Sequence, residues 1–138
     1  MVVDSNVIAY ALLGPVEKRD AARRALQSVD EIAVPDLFFA EYASIVWQWA
    51  TKLEASLPQF LGAMDDAEGL VERVVSCRSL WRSALGTALQ VRHSVYDCMY
   101  VALARRLHSR VVTFDARLLV VFPQDTLPAE AYAESGGD

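Results

Sequence analysis

Four acids carry the chemistry for which this sequence can be read: Asp4, Glu41, Asp97 and Asp115. Glu41 is the most telling. It is the only charged residue in LFFAEYASIVWQWAT, residues 37–51, and no Lys or Arg stands three or four positions away to neutralise it. An ionised carboxylate on a core helix face costs roughly several kcal/mol unless it is paired or binds a cation. A distant basic partner would serve, and a metal ion is the sharper account. Asp4 follows Val2-Val3 and Asp115 follows Arg110–Phe114, so each stands where a strand should end. Either could equally cap the helix after it. Asp97 has its own bland alternative, because Ser94-Val-Tyr-Asp97 fits a capping box. Taken together, four carboxylates suit a hard cation such as Mg²⁺ or Mn²⁺. Phosphodiester cleavage needs a nucleophile made from water and a counter-charge at phosphorus, and bound metal supplies both. Spacing alone does not establish convergence, since the four positions spread from residue 4 to residue 115.

The elements that would bring them together can be read in outline. Val2-Val3 is a short buried strand, and 6–13 and 17–29 read as helices separated by the turn at Gly14-Pro15. Glu31–Val34 reads as a strand closed by Pro35, and Leu37–Lys52 as a long helix without internal Gly or Pro. Pro58–Met64 reads as a short helix and Val71–Val75 as a third strand. Helices over 80–91 and 95–107 follow, then the strand Arg110–Phe114, a short helix through Leu119 and an extended piece near 126–129. Strands alternating with helices predict an α/β fold, a three-layer sandwich with a mostly parallel central sheet of four or five strands. In such sheets the working site lies beyond the carboxyl ends of the strands, at a switch point. Residues 1–132 read as a single domain and 133–138 as a tail.

Composition sets the boundaries. With 138 residues and 54% hydrophobic content the chain can bury a sizeable core. No apolar run approaches the ~18 residues of a membrane span, and MVVD opens without a basic or apolar leader, so a cytoplasmic protein is expected. Cys77 and Cys98 lack CxxC spacing and read as reduced thiols. The net charge of −5 is unevenly spread: Arg73–Arg117 holds eight basic residues against two acids, Asp97 and Asp115. That fits either a basic surface around an acidic centre or ordinary solvated helix faces. Arg92, Arg105, Arg106, Arg110 and Arg117 are the candidate RNA phosphate contacts on the first reading. His93 and His108 are too far apart for a local metal pair and read as surface residues. Kinase, hydrolase and dehydrogenase motifs of the GxxxxGK[ST], GxSxG and GxGxxG kinds do not occur.

The motifs then become specific. SVYDCMYVALARRL, residues 94–107, is close to the SxYDAxYLALA block of PIN-domain ribonucleases, and within them of the VapC toxins, with Cys98 in place of the usual alanine. VVTFDARL resembles that family's LVTxDxRL, DSNV its opening D-x-[SN]-V, and PDLFFAEYASIV its glutamate-bearing helix. The blocks occur in family order over nearly the whole chain. The resemblance implies an endoribonuclease using Mg²⁺ or Mn²⁺ held by Asp4, Glu41, Asp97 and Asp115. It places a small polar site residue at Asn6 and another polar one at Thr113. Ser44 stands where the family often has Asn, which shortens the support available to Glu41. No second acid follows Asp115 closely, so one metal ion or two stays open. The resemblance further implies RNA products with 3′-hydroxyl and 5′-phosphate ends, a VapB-like antitoxin and a homodimer. Two alternatives stand beside it: a PIN nuclease of RNA processing or DNA repair, and a catalytically silent PIN-fold binding module.

One expectation concerns surfaces. Trp47 and Trp49 lie about 200° apart around a helix of 3.6 residues per turn, so both cannot enter one core. One apolar face of that helix should stay uncovered and serve a partner, unless the N-terminal helix pair covers it.

Overall fold

The computed structural model describes residues 1–53 and 56–134. The chain runs β1 (Val2–Val3), α1 (Ser5–Leu13), α2 (Val16–Ser28), β2 (Ala33–Pro35), α3 (Leu37–Leu53) and α4 (Leu57–Leu70). It continues through β3 (Arg73–Val75), α5 (Cys77–Val91), α6 (Val95–Arg106), β4 (Val111–Thr113), α7 (Ala116–Val121), β5 (Thr126–Pro128) and α8 (Ala131–Glu134). The five strands form one sheet in the order β3-β2-β1-β4-β5, and every pairing is parallel. The expected α/β sandwich is therefore present.

Successive strand residues point to opposite faces, and the two cores follow from that alternation. Val3, Val34 and Val112 face a core with Val7, Ile8, Phe38, Tyr42 and Phe60. Val2, Ala33 and Val111 face the other, with Leu80, Cys98, Tyr100, Val101 and Leu103. Helices thus cover the sheet on both sides, as an all-parallel sheet requires. Gly14 closes α1 in close quarters: a Cβ there would meet the Tyr10 backbone at 2.8 Å.

The differences from expectation have local causes. Helix α4 runs on from Met64 to Leu70 because Phe60, Ala63 and Ala67 keep an apolar stripe at helical spacing. Its start is fixed by a capping box between Ser56 and Gln59. Val71 then caps α4 through its N–H to Ala67, so β3 begins at Arg73. Helix α5 begins three residues early because the Ser76 side chain accepts from Arg78 N–H. The short α8 closes the described chain where a tail was expected from residue 133, and residues 135–138 lie outside the described residues.

The two indoles separate as their spacing requires. Trp49 packs against Tyr10 of α1 with ring centroids 6.0 Å apart. Trp47 is 66% exposed. Helix α1 thus covers one side of α3, and the other side carries the exposed Trp47.

Candidate active site

The chain departs from β1 toward β2 on one side and reaches β4 on the other, so β1 and β4 flank the switch point of the sheet. Val3 pairs with Val112, and the Asp4 N–H bonds Val112 O at 3.0 Å. This sets Asp4 beside Thr113 across 109 residues of sequence.

Asp4 occupies the cap position of α1 but makes no side-chain cap bond. Its carboxylate instead accepts from Thr113 Oγ1 at 2.8 Å, and from Ser5 Oγ and Asn6 Nδ2 at 3.4 Å each. Asn6 also ties the two strand ends together, reaching Thr113 Oγ1 at 3.4 Å and accepting from Phe114 N–H at 3.3 Å. Burial pushes the Asp4 carboxyl up to about 7; the Thr113 bond pulls it down, and the charges of Asp97 and Glu41 push it further up. The simple capping role for Asp4 is thus not what the side chain does.

Glu41 emerges from α3 over the same region. Its Oε1 accepts from Tyr100 Oη at 2.6 Å, a neutral donor where a basic partner was one alternative. Burial holds the Glu41 carboxyl above the usual range, and the charge of Asp97 adds to the rise. Burial and the charges of Asp4 and Glu41 keep the Tyr100 phenol protonated, so it acts as a donor. Ser44 lies exposed one turn along α3 from Glu41. It lines, with Leu37, Ala40, Glu41 and Tyr96, a hollow of about 420 Å³.

Asp97 lies in the first turn of α6. Ser94 caps that helix, but its Oγ accepts from Tyr96 N–H at 3.2 Å. The Asp97 carboxylate turns to His93 Nε2 at 2.7 Å, so the reciprocal arm of the capping box is not made. The expectation that His93 is a surface residue is overturned, since its side chain is only 4% exposed. Nothing in an unaligned sequence separates His93 from its charged neighbours except the i, i+4 spacing to Asp97. Tyr100 was missed too, although it lies three residues after Asp97 on one helix face.

Asp115 behaves differently. Its Oδ1 caps α7, accepting from Arg117 N–H at 2.9 Å and Leu118 N–H at 3.2 Å, so the capping role is realised here. Its own N–H donates to Thr113 Oγ1 at 2.9 Å, which joins it to Asp4 through one hydroxyl. The structure therefore brings Asp4, Glu41 and Asp97 within range of mutual charge repulsion and sets Asp115 alongside through Thr113.

The five arginines divide. Arg105 is held by both oxygens of Asp125, and Arg106 by Ser79. Both lie at the far end of α6, about 12 Å from Asp97 at 1.5 Å rise per residue. Arg110 precedes β4, at the edge opposite the acids. Arg117 stands next to Asp115 in the first turn of α7, and Arg92 in the turn before α6.

An all-oxygen donor set in which like charges press on one another fits a hard divalent cation, the charge that would relieve them. Among the described residues no three His, Cys, Asp or Glu side chains close into a ready coordination shell.

The PIN domain family model matches residues 1–121, and this chain belongs to the PIN-domain family. It is 31% identical over 137 residues to Ribonuclease VapC3 of Pyrobaculum aerophilum, covering 93% of this chain and 98% of that protein. Among solved structures it is similar in fold to a protein of Pyrobaculum aerophilum, with a TM-score of 0.73 at 16% identity, covering 99% of this chain and 95% of the other. It is similar also to a toxin–antitoxin complex from Klebsiella pneumoniae, with a TM-score of 0.68 at 13% identity and coverage of 93% and 96%.

Proposed function

We propose that this chain is a metal-dependent endoribonuclease, the toxin of a VapBC-type pair, which cleaves RNA phosphodiester bonds and so inhibits translation in the cytoplasm. The observation that carries the reading is the buried Asp4 carboxylate, pressed by Asp97 and Glu41 at the switch point of a PIN fold. Asp4, Glu41, Asp97 and Asp115 would hold Mg²⁺ or Mn²⁺, and Asn6, Ser44 and Thr113 would support them. Bound there, the cation supplies an activated water and a counter-charge for phosphorus. The protein's own part is positional. Thr113 and Asn6 fix the Asp4 oxygens, and Tyr100 fixes Oε1 of Glu41. Arg117, beside Asp115, is the candidate phosphate contact best placed for an RNA strand at the acids, with Arg92 next.

Two apolar stripes remain for partners. Leu57, Leu61 and Met64 are exposed on α4, and Phe39 and Trp47 are exposed on α3. We assign this surface to an amphipathic segment of a VapB-like antitoxin. On α5, Trp81, Leu85 and Leu89 recur at four-residue intervals on an exposed face, which we assign to a second copy of the chain in a two-fold dimer.

The deciding experiment is cleavage of a structured RNA with Mg²⁺, with Mn²⁺ and with EDTA, using the parent and Asp4→Asn, Glu41→Gln, Asp97→Asn and Asp115→Asn. Loss of cleavage in EDTA and in each folded variant is expected. Undiminished activity in EDTA would refute the reading, and full activity of one variant would remove that residue from the site.

A further inference from the structure

The turn between α5 and α6 is built around one imidazole. Arg92 takes the left-handed conformation, with φ of 55°, and both its N–H and that of His93 bond Ala88 O, which ends α5 in a tight cap. Ser94 then starts α6. His93, pinned between the two helices, has Phe122 edge-on to its ring, with centroids 5.8 Å apart and planes at 89°. Its Nε2 meets Asp97 Oδ2 at 2.7 Å, and its Nδ1 is buried with no hydrogen-bond partner among the described residues.

That unpartnered nitrogen settles which tautomer the site favours. A proton on Nδ1 would be a buried donor without an acceptor, which costs about 1–3 kcal/mol, and Nε2 would then present a lone pair to a carboxylate. With the proton on Nε2 the ring donates a charge-assisted bond to Asp97, and Nδ1 is left only as an unused acceptor. An imidazole so enclosed does not reach RNA. We propose that His93 is a positioning residue: its Nε2–H fixes the Asp97 carboxylate against Asp4 and Glu41 and so sets how tightly the cluster takes a divalent cation. The inference rests on the metal-binding reading of the four acids. Outer partners that orient ligating groups typically govern affinity by about 10–100-fold.

The test is Mn²⁺ binding to the full chain without RNA, read from the free Mn²⁺ signal in electron paramagnetic resonance. Parent, Asp97→Asn, His93→Leu and His93→Gln are compared. Leucine fills the apolar space beside Phe122 but donates nothing, whereas glutamine can place its amide near the Nε2 position. At least about a 10-fold loss is expected for His93→Leu, with His93→Gln within about 3-fold of the parent. A folded His93→Leu that binds like the parent while Asp97→Asn does not would overturn the role of His93 and leave the metal reading intact. A parent with no Mn²⁺ affinity would overturn both. Should His93→Leu fail to fold, ring-nitrogen NMR of the parent decides. A proton on Nε2 with signals that move on Mg²⁺ addition supports the inference, and a proton on Nδ1 or an unmoved ring overturns it.

Discussion

Replacing Asp4 by Asn should change the stability of the protein in opposite directions at low and high pH. The folded Asp4 carboxyl titrates at about 7 against an ordinary 3.8, because burial outweighs the bond from Thr113 and neighbouring acids add to the rise. The folded state therefore holds the proton more tightly than the unfolded chain. Its contribution is fully present below the unfolded value and is lost as pH rises toward 7. A shift of about 3 units at 1.36 kcal/mol each makes the ionised parent about 4 kcal/mol less stable, in order of magnitude, near pH 8 than near pH 4 on this account. Asn carries no such charge. Its amide, however, faces three groups that now donate to Asp4, from Ser5, Asn6 and Thr113, and that mismatch costs about 1–3 kcal/mol at every pH. The variant should thus be less stable than the parent by about 1–3 kcal/mol near pH 4, and more stable by a similar amount near pH 8. Urea denaturation in EDTA, fitted at several pH values, measures the difference directly. A stability difference that does not change with pH would show that Asp4 is not a strained carboxylate, and the electrostatic reasoning would fail with it.

The remaining predictions follow from the same geometry. Mn²⁺ should raise Tm more near pH 8 than near pH 5, because at the lower pH the ion must displace the proton on Asp4; differential scanning fluorimetry showing an equal shift at both would contradict this. Tyr100→Phe should keep the fold, since the ring is buried among apolar neighbours, yet weaken Mn²⁺ binding on the order of 10-fold by freeing Glu41; unchanged affinity by calorimetry would argue against it. Arg117→Ala should weaken binding of a non-cleavable RNA and reduce its log-log salt slope by about one, whereas Arg105→Ala should lower Tm and leave that slope unchanged, because Arg105 is spent on Asp125. Filter binding across a salt series distinguishes the two.

The layered fold was legible because apolar runs closed by Gly, Pro or acids are strong local signals, and Val2-Val3 and Arg110–Phe114 carry them plainly. Element ends were less so. The extension of α4 to Leu70 depends on Phe60, Ala63 and Ala67 finding a core, which no window of sequence reveals. Glu41 could be suspected from its isolation among apolar residues, and the resemblance pointed to the other three acids. The relations among them could not be read. That Asp115 caps a helix while Asp4 in a cap position does not depends on Thr113 arriving from a distant strand. His93 and Tyr100 are invisible for the same reason: their roles consist in partners that tertiary packing selects.

The hydrogen bond from Thr113 to Asp4 spans 109 residues, and β1, which begins the sheet in sequence, sits at its middle in space. During synthesis Asp4, the first acid of the centre, emerges and waits, because Thr113 at the end of β4 follows it by 109 residues and Asp115 comes just after. Closing so long a loop precedes any reward from the contact, so the centre belongs to the late events of folding. A ribosome-bound chain, or a fragment ending before β4, can hold Glu41 and Asp97 yet lacks the hydroxyl that steadies Asp4. Whatever this centre does, it is withheld until the chain has been made through β4 and Asp115.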